Sequence, residues 1–539
     1  MVHKLWSQRM IFILILLFFI AFLILPIVFL LGRSFFLDGA LTLYHYKDIL
    51  TNPEITNALF NSLKVSSTAA MVTTILAFFM SYTLHMTRAS TWTHSYIKNM
   101  TLLPMFVPTI TYGFILMYLF GNEGILSNIL SELPFTIYGK NGLFIGYIIY
   151  TLPAAYLIIS NAFNYIDHRF YYISSLMKDG KMRRFYHTLL RPLFIPIGNA
   201  FILSFILSFT DFGIPASIGA DYNVISITLY QMILGSIPKF AEGAVIAMLM
   251  LIPAIIGFIF LTIIEKWNVQ QRAISHKNLP LRKWHDRFVN VCAITIATVI
   301  LLIFLVMFIV PFTQDYPYQL DFTLTHIISV INDEILLDVY IQSLFVAIAT
   351  AFFGTLISFA SALITVRTKV KGKQSLNIIS LITNTVPGMI LGLSYLLLFQ
   401  NSSIKGTFLI VIISIIVHYF TTPYVMAKGA LEKLDQSWDV TSSLLQDQWY
   451  ETIFKIILPN MKTTIIEMMN YYFINAMVTI SGVIFLVSTS TQLVSTEINQ
   501  LQHFNRFTDI FILSILILIT NVCIRSISSC WLKYRERRG

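Results

Sequence analysis

Residues 11–31 read IFILILLFFIAFLILPIVFLL, a run that contains neither a charged nor a polar side chain. A helix of about 20 apolar residues is long enough to cross the hydrocarbon core of a lipid bilayer. Comparable runs recur along the whole chain of 539 residues, of which 56% are hydrophobic and only 12% are charged. A soluble protein needs more polar surface than this composition supplies. The sequence therefore predicts an all-α integral membrane protein with many spans.

The run at 11–31 follows a short basic start, Lys4 and Arg9, as the apolar core of a secretory signal does. It is longer than such a core, and no small-residue cleavage site follows it. We therefore expect it to be the first of about twelve transmembrane helices. The predicted spans are 10–31, 60–85, 101–120, 142–162, 192–213, 241–264, 288–311, 340–366, 376–399, 407–427, 463–488 and 507–527.

The basic residues are distributed unevenly between the predicted loops. The chain has 36 Lys and Arg residues against 26 Asp and Glu residues, which gives a net charge of +10. If the N-terminus is cytoplasmic, 29 of the 36 basic residues lie in cytoplasmic segments and the other seven lie outside. Loops that face the cytoplasm carry such an excess of Lys and Arg. We expect a bacterial plasma-membrane protein embedded in lipid, with both termini cytoplasmic and no nucleic-acid partner.

The chain is a tandem repeat. One polar segment lies between the predicted fourth and fifth spans of each half, and the two segments match at seven positions, all at one constant offset along the chain. The matched residues are Ile166, Asp167, Phe170, Ser174, Ser175, Leu176 and Asp179 in the first copy, and Leu434, Asp435, Trp438, Ser442, Ser443, Leu444 and Asp447 in the second. Pro192 and Pro459 follow after a slip of a single position. Because each copy holds an even number of spans, the repeats are parallel, which predicts a translocation path between two six-helix halves.

Each of these polar segments is longer than a connection between helices needs to be. Apolar residues recur in it at helical spacing, which predicts a short amphipathic helix. These residues are Ile166, Phe170, Ile173 and Met177 in the first copy, and Leu431, Leu434, Trp438 and Leu445 in the second. From the residues alone, such a helix either lies on the membrane surface or docks into a partner protein.

The two segments resemble the EAA loops of binding-protein-dependent ABC permeases in position, in the apolar-Asp lead-in, in the pair of serines and in the closing proline. Gly180 lies about one position from the glycine of that family, whereas the second copy has Gln446 or Gln448 there. The glutamate and alanines that name the motif are absent from both copies. Asn61-Ser62-Leu63 and Gln342-Ser343-Leu344, which open the second span of each half, also fit the family. The chain looks like the fused permeases of ferric iron, thiamine and phosphonate importers from about Asn57 in the first half and Leu337 in the second.

The resemblance implies the type I fold of an ABC importer permease. It also implies two ATP-binding cassette ATPase subunits that bind the two loops, and an extracytoplasmic solute-binding protein that delivers ferric iron or a phosphonate, with thiamine as a third possibility. No G-x-x-x-x-G-K-[ST] phosphate loop occurs in the sequence. We expect no enzyme activity, cofactor or metal site in this chain, and ATP bound only by the partner subunits.

The resemblance also suggests domain boundaries. Residues 1–56 hold the first helix and an outer loop, and 276–336 hold a linker, the seventh helix and an acidic outer loop. The permease domains are 57–275 and 337–530, and 531–539 form a basic cytoplasmic tail.

Possible gate or pathway residues lie in and after the third and fifth spans of each half. They are Asp211, Gly213, Pro215, Pro108, Pro387, Ser481 and Gly482. Ionisable residues inside membrane spans are candidates for function, and Asp211 lies near the outer end of its span. Either it is a gate or substrate contact, or it is a carboxylate near the interface that the broken backbone of Gly213 and Pro215 satisfies.

Two other classes of protein share part of this pattern. Twelve spans in two parallel halves also describe ion-gradient-driven transporters of the major facilitator type, but the loop at 85–91 lacks the Gly-, Asp- and Arg-rich motif of that family. A membrane-embedded enzyme would cluster His, Asp or Glu at one depth, whereas the histidines here are scattered. Cys292, Cys523 and Cys530 lack metal-ligand spacing and are interpreted as small apolar side chains.

Overall fold

Helices make up most of the structure, a computed structural model that describes residues 2–37, 40–122, 124–130, 134–166, 173–174, 176–265, 283–435, 437–444 and 448–536. The first half contains, in order, Val2–Phe19, a π turn Ile20–Ile24, Leu25–Phe35, strands Phe36–Leu37 and Ala40–Leu41, Tyr44–Thr51, Pro53–Met86, Thr91–Leu102, a 3-10 turn Leu103–Phe106, Thr109–Phe120, Ile125–Leu130, Lys140–Phe163, Lys181–Phe185, a π turn Tyr186–Leu190, Arg191–Thr210, Gly213–Ile218, Ile225–Leu234 and Phe240–Glu265. The second half contains Lys283–Ile309, a 3-10 turn Val310–Phe312, strands Thr313–Asp315 and Gln319–Phe322, Thr325–Asn332, Glu334–Arg367, Ser375–Thr385, Gly388–Leu398, Phe408–His418, Thr421–Lys433, Ser437–Leu444, Trp449–Thr452, a π turn Ile453–Ile457, Leu458–Asn460, Lys462–Val478, Val494–His503 and Phe507–Glu536.

Eleven of the twelve predicted spans match helices, or bent pairs of helices, in the described residues that could cross a membrane. Within the described ranges, eight helices are long and apolar enough to cross a membrane, and three bent pairs raise the total to eleven. The remaining predicted span, 463–488, contains the helix Lys462–Val478, which ends before the predicted boundary. The sequence stays apolar after Val478, so hydrophobicity alone could not locate this end. In the following, spans are numbered one to six within each half.

The third spans are broken rather than kinked. Their two parts meet at 109° in the first half and at 102° in the second, at Val107-Pro108 and Val386-Pro387. Both valines are extended, with φ −123° and ψ 141° at Val107 and φ −82° and ψ 115° at Val386. A residue before proline disfavours the helical region, so the same dipeptide interrupts both helices.

The two halves interlock through their first spans. Near residue 20 the first span of the first half packs on the second half, where the Tyr395 hydroxyl donates to the Phe22 carbonyl and the Phe19 and Phe420 ring centroids are 4.5 Å apart. In return, Thr298 in the first span of the second half bonds Tyr96 of the first half at 3.0 Å. Each first span therefore contacts the opposite half. We call the end of the bundle that carries the two β-hairpins the hairpin side, and the opposite end, where the second spans end, the basic side.

The second spans repeat with identical length. Pro53–Met86 and Glu334–Arg367 each contain 34 residues, so one offset relates both their first and their last residues. In each span, the serine of the Asn-Ser-Leu or Gln-Ser-Leu motif accepts the N–H of the first residue of a distant helix. Ser62 binds Ile225 at 2.8 Å, and Ser343 binds Val494 at 2.8 Å. The first N–H groups of a helix have no partner inside the helix, so both serines act as caps contributed by another span.

Replacing Ser62 with alanine is expected to lower the thermal unfolding midpoint of the purified chain in detergent. Ser62 is buried, so its loss leaves the Ile225 N–H without a partner, at a cost of about 1–3 kcal/mol. Ser66, one turn further along the same helix, is also buried, but its hydroxyl has no partner within the described residues. We expect Ser66→Ala to leave the midpoint unchanged or to raise it, and an equal decrease in both variants would contradict the capping role.

Candidate gate and coupling loops

Both fifth spans end in a break of the same kind. After the helix Arg191–Thr210, Asp211 is extended at φ −67° and ψ 138°, and a short helix follows. After the helix Lys462–Val478, Thr479 is extended at φ −69° and ψ 136°, and the chain continues in turns. Asp211 and Thr479 are related by the same offset as the matched residues of the polar loops. We call residues 211–218 and 479–486 the gate segments.

Glycines allow each gate segment to approach the backbone of the third span in its own half. A Cβ atom on Gly213 would lie 2.5 Å from the backbone nitrogen of Ile110, just after Pro108. In the second half, a Cβ atom on Gly392 would lie 2.4 Å from the carbonyl oxygen of Gly482. Such distances are below van der Waals contact, so neither position accommodates a larger residue without moving backbone. The structure therefore brings the predicted gate residue Gly213 against Thr109 and Ile110, the two residues that follow Pro108.

The remaining predicted residues of the second half lie together in the same way. Gly482 packs against Gly388, the residue after Pro387, with a Cβ on Gly388 placed 3.3 Å from the Gly482 backbone. Ser481 precedes this contact and reaches across to the first half, where its Oγ accepts the Phe212 N–H at 3.4 Å. The two gate segments thus touch where the halves meet.

Aromatic rings extend this contact between the halves. The Phe212 ring centroid lies 4.7 Å from that of Tyr230, and Tyr230 lies 6.4 Å from Phe485 of the second gate segment. Phe212 is completely buried. Pro215 lies in the buried short helix that follows it. The row of rings connects the two gate segments.

Asp211 is held by the break that follows it. The side chain is only 3% exposed, and its Oδ2 accepts the Ile214 N–H at 2.9 Å, near the start of the short helix Gly213–Ile218. It therefore satisfies a backbone N–H group of the break that follows it.

Four tyrosines inside the spans were not among the residues that the sequence singled out. Tyr112 and Tyr150 of the first half have ring centroids 6.3 Å apart, and Tyr419 and Tyr471 of the second half have centroids 6.1 Å apart. Anchoring tyrosines lie at span ends, so the position of these four within the predicted spans is the signal that distinguishes them. We call them the tyrosine cluster.

The first polar loop is described in part, because Asp167, Phe170 and Ser175 lie outside the described residues. The Ser174 hydroxyl donates to the Asp179 carboxylate at 2.8 Å, so these two predicted residues meet. Asp179 also forms an ion pair with Arg183, with 3.6 Å between its Oδ1 atom and the Arg183 Nε atom. Gly180 then precedes the helix Lys181–Phe185 as its N-cap.

The second polar loop is fixed to the end of a span. The Arg367 guanidinium, at the end of the second span, donates to the carbonyls of Leu434 at 2.6 Å and Asp435 at 3.2 Å. Hydrogen bonds from the Ser437 backbone and side chain lower the pKa of Asp435 below its usual value. The Ser442 hydroxyl bonds that of Thr452 at 2.5 Å. Asp447 lies outside the described residues, as does the Ser443 side chain.

The closing prolines share an unusual backbone. A π turn ends shortly before each of them, Tyr186–Leu190 before Pro192 and Ile453–Ile457 before Pro459. The offset between the two turns equals the offset between the two prolines. Isolated π turns in helices are rare and are found mostly at functional sites. The resemblance between the loops therefore extends to their hydrogen-bonding pattern.

Only some of the apolar residues in the predicted stripes face outward. Ile166 is 6% exposed and Leu431 is completely buried, because both lie where the fourth spans end and pack into the bundle. In contrast, Met177 is 70% exposed and Leu444 is 77% exposed. Trp438 is half-buried. The exposed apolar surface therefore includes Met177 of the predicted stripe in the first loop, and Leu444, which precedes the predicted Leu445, in the second.

Comparison with known proteins identifies the repeated unit. A family model for the binding-protein-dependent transport system inner membrane component matches residues 73–270 and again 354–538. The starts of the two matches are related by the same offset as the second spans. A protein of Haemophilus influenzae named as a ferric transport system permease is 27% identical over 465 residues, which cover 82% of this chain and 72% of that protein. A ferric transport system permease protein of Actinobacillus pleuropneumoniae is 26% identical over 473 residues, which cover 84% and 67%.

Proposed function

Because the chain belongs to the family of binding-protein-dependent transport system inner membrane components, with two copies fused in one polypeptide, we propose that the cargo it carries is ferric iron. The chain is the membrane-spanning permease subunit of an ABC importer. Both similar proteins are named for ferric iron and cover more than four-fifths of the chain. This favours iron over a phosphonate. The family match gives no support to an ion-gradient-driven transporter of the major facilitator type.

The partners proposed are two ATPase subunits on the basic side and a solute-binding protein on the hairpin side. We propose that the basic side faces the cytoplasm, because 29 of the 36 basic residues lie in the segments predicted to be cytoplasmic. Both polar loops lie at that side and expose large apolar side chains there, Met177 in one and Leu444 in the other. We call the two polar loops the coupling loops. In this proposal each ATPase binds one coupling loop and carries the ATP, and this chain holds no cofactor.

The position of each fifth span supports a mechanism in which movement of the coupling loop is transmitted to the gate. In both halves this helix begins at a coupling loop and its closing proline, and it ends at a gate segment. The helix Arg191–Thr210 has 20 residues and is therefore roughly 30 Å long. A displacement of the coupling loop by the ATPase would be transmitted along a single rigid helix to the gate. Separation of the gate segments then requires loss of the Phe212–Ser481 hydrogen bond and of the row of rings.

Reconstitution tests this function directly. The chain is assembled in proteoliposomes with its ATPase and binding protein, and uptake of radioactive ferric iron is measured with ATP on the ATPase side. We expect uptake that requires ATP, the ATPase and the binding protein. Uptake that follows an imposed proton gradient without ATP, or accumulation of a phosphonate but not of iron, would show the proposed cargo or energy source to be wrong.

A further inference from the structure

A groove opens at the basic side between the fifth and sixth spans of the second half. It has a volume of about 450 Å³ and is lined by the closing proline together with Phe454, Leu458, Lys462, Ile465, Ile466 and Trp531. We propose that this groove binds one phospholipid with an anionic headgroup, whose acyl chain lies along the apolar side chains and whose phosphate contacts Lys462. The inference goes beyond the proposed function and does not depend on the cargo.

The groove lies at the ends of two helices that are joined deeper in the bundle. There the Ser528 hydroxyl of the sixth span donates to the Asn470 Oδ1 atom of the fifth span at 2.9 Å. The lining residues of the fifth span come before Asn470 in the chain, and Trp531 of the sixth span comes after Ser528. Because the fifth span begins and the sixth span ends at the basic side, the groove lies between this hydrogen bond and the basic end of the bundle.

The lining residues cover the depth from the hydrocarbon core to the membrane surface. Ile465 and Ile466 lie within the predicted span 463–488, Lys462 directly precedes it, and Trp531 follows the predicted span 507–527 by one turn. Tryptophan is enriched at the interface between membrane and water, and a lysine near the end of a span extends its ammonium group toward the headgroups. A soluble partner reaches only the outer part of such a groove, whereas a lipid can occupy all of it.

The charge of the groove favours an anionic headgroup. Lys462 is its only charged lining residue; it is exposed and forms no ion pair with another described side chain. Glu467, next to Ile466 in the chain, is exposed but does not line the groove. In the sequence, a single acidic residue, Glu536, accompanies four basic residues that follow Trp531, namely Lys533, Arg535, Arg537 and Arg538. Clusters of basic residues next to a membrane span attract anionic lipids.

The first half has polar residues at several of the positions that are apolar in the groove. The offset between the two closing prolines identifies the corresponding positions. They hold His187, Arg191 and Asn199 in place of Phe454, Leu458 and Ile466. We therefore expect one such lipid site per chain, in the second half. A single site differs from the general layer of lipid around the protein, which would surround both halves.

The test is native mass spectrometry of the full-length chain, purified in a mild detergent and washed free of lipid. The protein is titrated with dioleoyl phosphatidylglycerol, which is anionic, or with dioleoyl phosphatidylcholine, which is zwitterionic. We expect one phosphatidylglycerol to bind per chain, more tightly than phosphatidylcholine. Lys462→Gln should weaken this binding about fivefold, the contribution of one lysine at a charged membrane surface. Ile466→Trp fills the groove and should abolish it.

Lys98→Gln is the matched control. Lys98 is also exposed and shortly precedes a predicted span, 101–120, but it does not line the groove. Its replacement removes the same charge from the chain and should leave the affinity for phosphatidylglycerol unchanged.

Several outcomes would contradict the lipid site. Equal binding of the two lipids, or equal effects of Lys462→Gln and Lys98→Gln, would show that the chain attracts lipid only through its overall charge or its apolar surface. If Ile466→Trp retains the lipid but no longer co-purifies with the ATPase subunits, the groove is a protein-docking surface instead. If Ile466→Trp lowers the unfolding midpoint, Phe454→Gln takes its place, because Phe454 is exposed, and unchanged lipid binding in that variant would also contradict the site.

Discussion

Replacing Gly392 with alanine is expected to abolish iron uptake while leaving the ATPase subunits bound. The added Cβ atom would lie 2.4 Å from the carbonyl oxygen of Gly482 and 3.2 Å from its carbonyl carbon. Overpacking costs about 1–3 kcal/mol where side chains can adjust. Here the obstacle is the backbone of a gate segment, so we expect a loss of stability at the upper end of that range and iron uptake at background level. Uptake in proteoliposomes and co-purification of the ATPase are the measurements.

A matched substitution in the same half distinguishes a specific clash from general damage. Gly429, in the fourth span, has no atom within 4 Å of the position where its Cβ would lie. Alanine is the better helix former by about 1 kcal/mol, so Gly429→Ala should keep uptake and thermal stability or improve the latter. If Gly392→Ala transported iron at the wild-type rate with an unchanged unfolding midpoint, the third span and the gate segment could not be in contact.

Much of the architecture could be predicted from the sequence because membrane spans are recognised as long hydrophobic runs. The two second spans illustrate this, since the helices Pro53–Met86 and Glu334–Arg367 include the predicted 60–85 and 340–366. The Asn-Ser-Leu match was also visible. The capping role of Ser62 could not be predicted, because its partner is the N–H of Ile225, far away along the chain. A local pattern can mark such a position, but only the fold supplies the partner.

The features that the sequence could not provide depend on contacts between distant segments. Val386-Pro387 predicts an interruption, but neither the 102° bend nor the packing of Gly388 against the second gate segment follows from the dipeptide. Leu431 looked like part of a docking stripe because spacing alone does not show which side of a helix faces the bundle. The tyrosine cluster was overlooked for a similar reason, since its members come from different spans of both halves and have no shared spacing.

Introducing a charge at the exposed apolar positions of the coupling loops is expected to release the ATPase subunits. Leu444 and Met177 are 77% and 70% exposed, so glutamate at either position should change the stability of the chain itself by no more than about 0.5 kcal/mol. Burying that unpaired charge in an interface costs about 3 kcal/mol or more, a loss of more than about 100-fold in affinity. Trp438→Glu is a poorer test, because Trp438 is half-buried and the change would disturb the chain as well.

Because there are two coupling loops, single and double variants can be compared within the same experiment. If each coupling loop binds one ATPase, Leu444→Glu and Met177→Glu should each weaken one of the two subunits, and the double variant should elute without either when purified by a tag on this chain. Ile237 lies near the start of a sixth span, toward the hairpin side, and is 80% exposed, so Ile237→Glu introduces the same charge at equal exposure away from the coupling loops and should retain both. Retention of both subunits by the double variant would place the docking surface elsewhere. Loss of both from a single variant would instead mean that the ATPases bind only as a pair, because removal of one contact then removes the stability of the other.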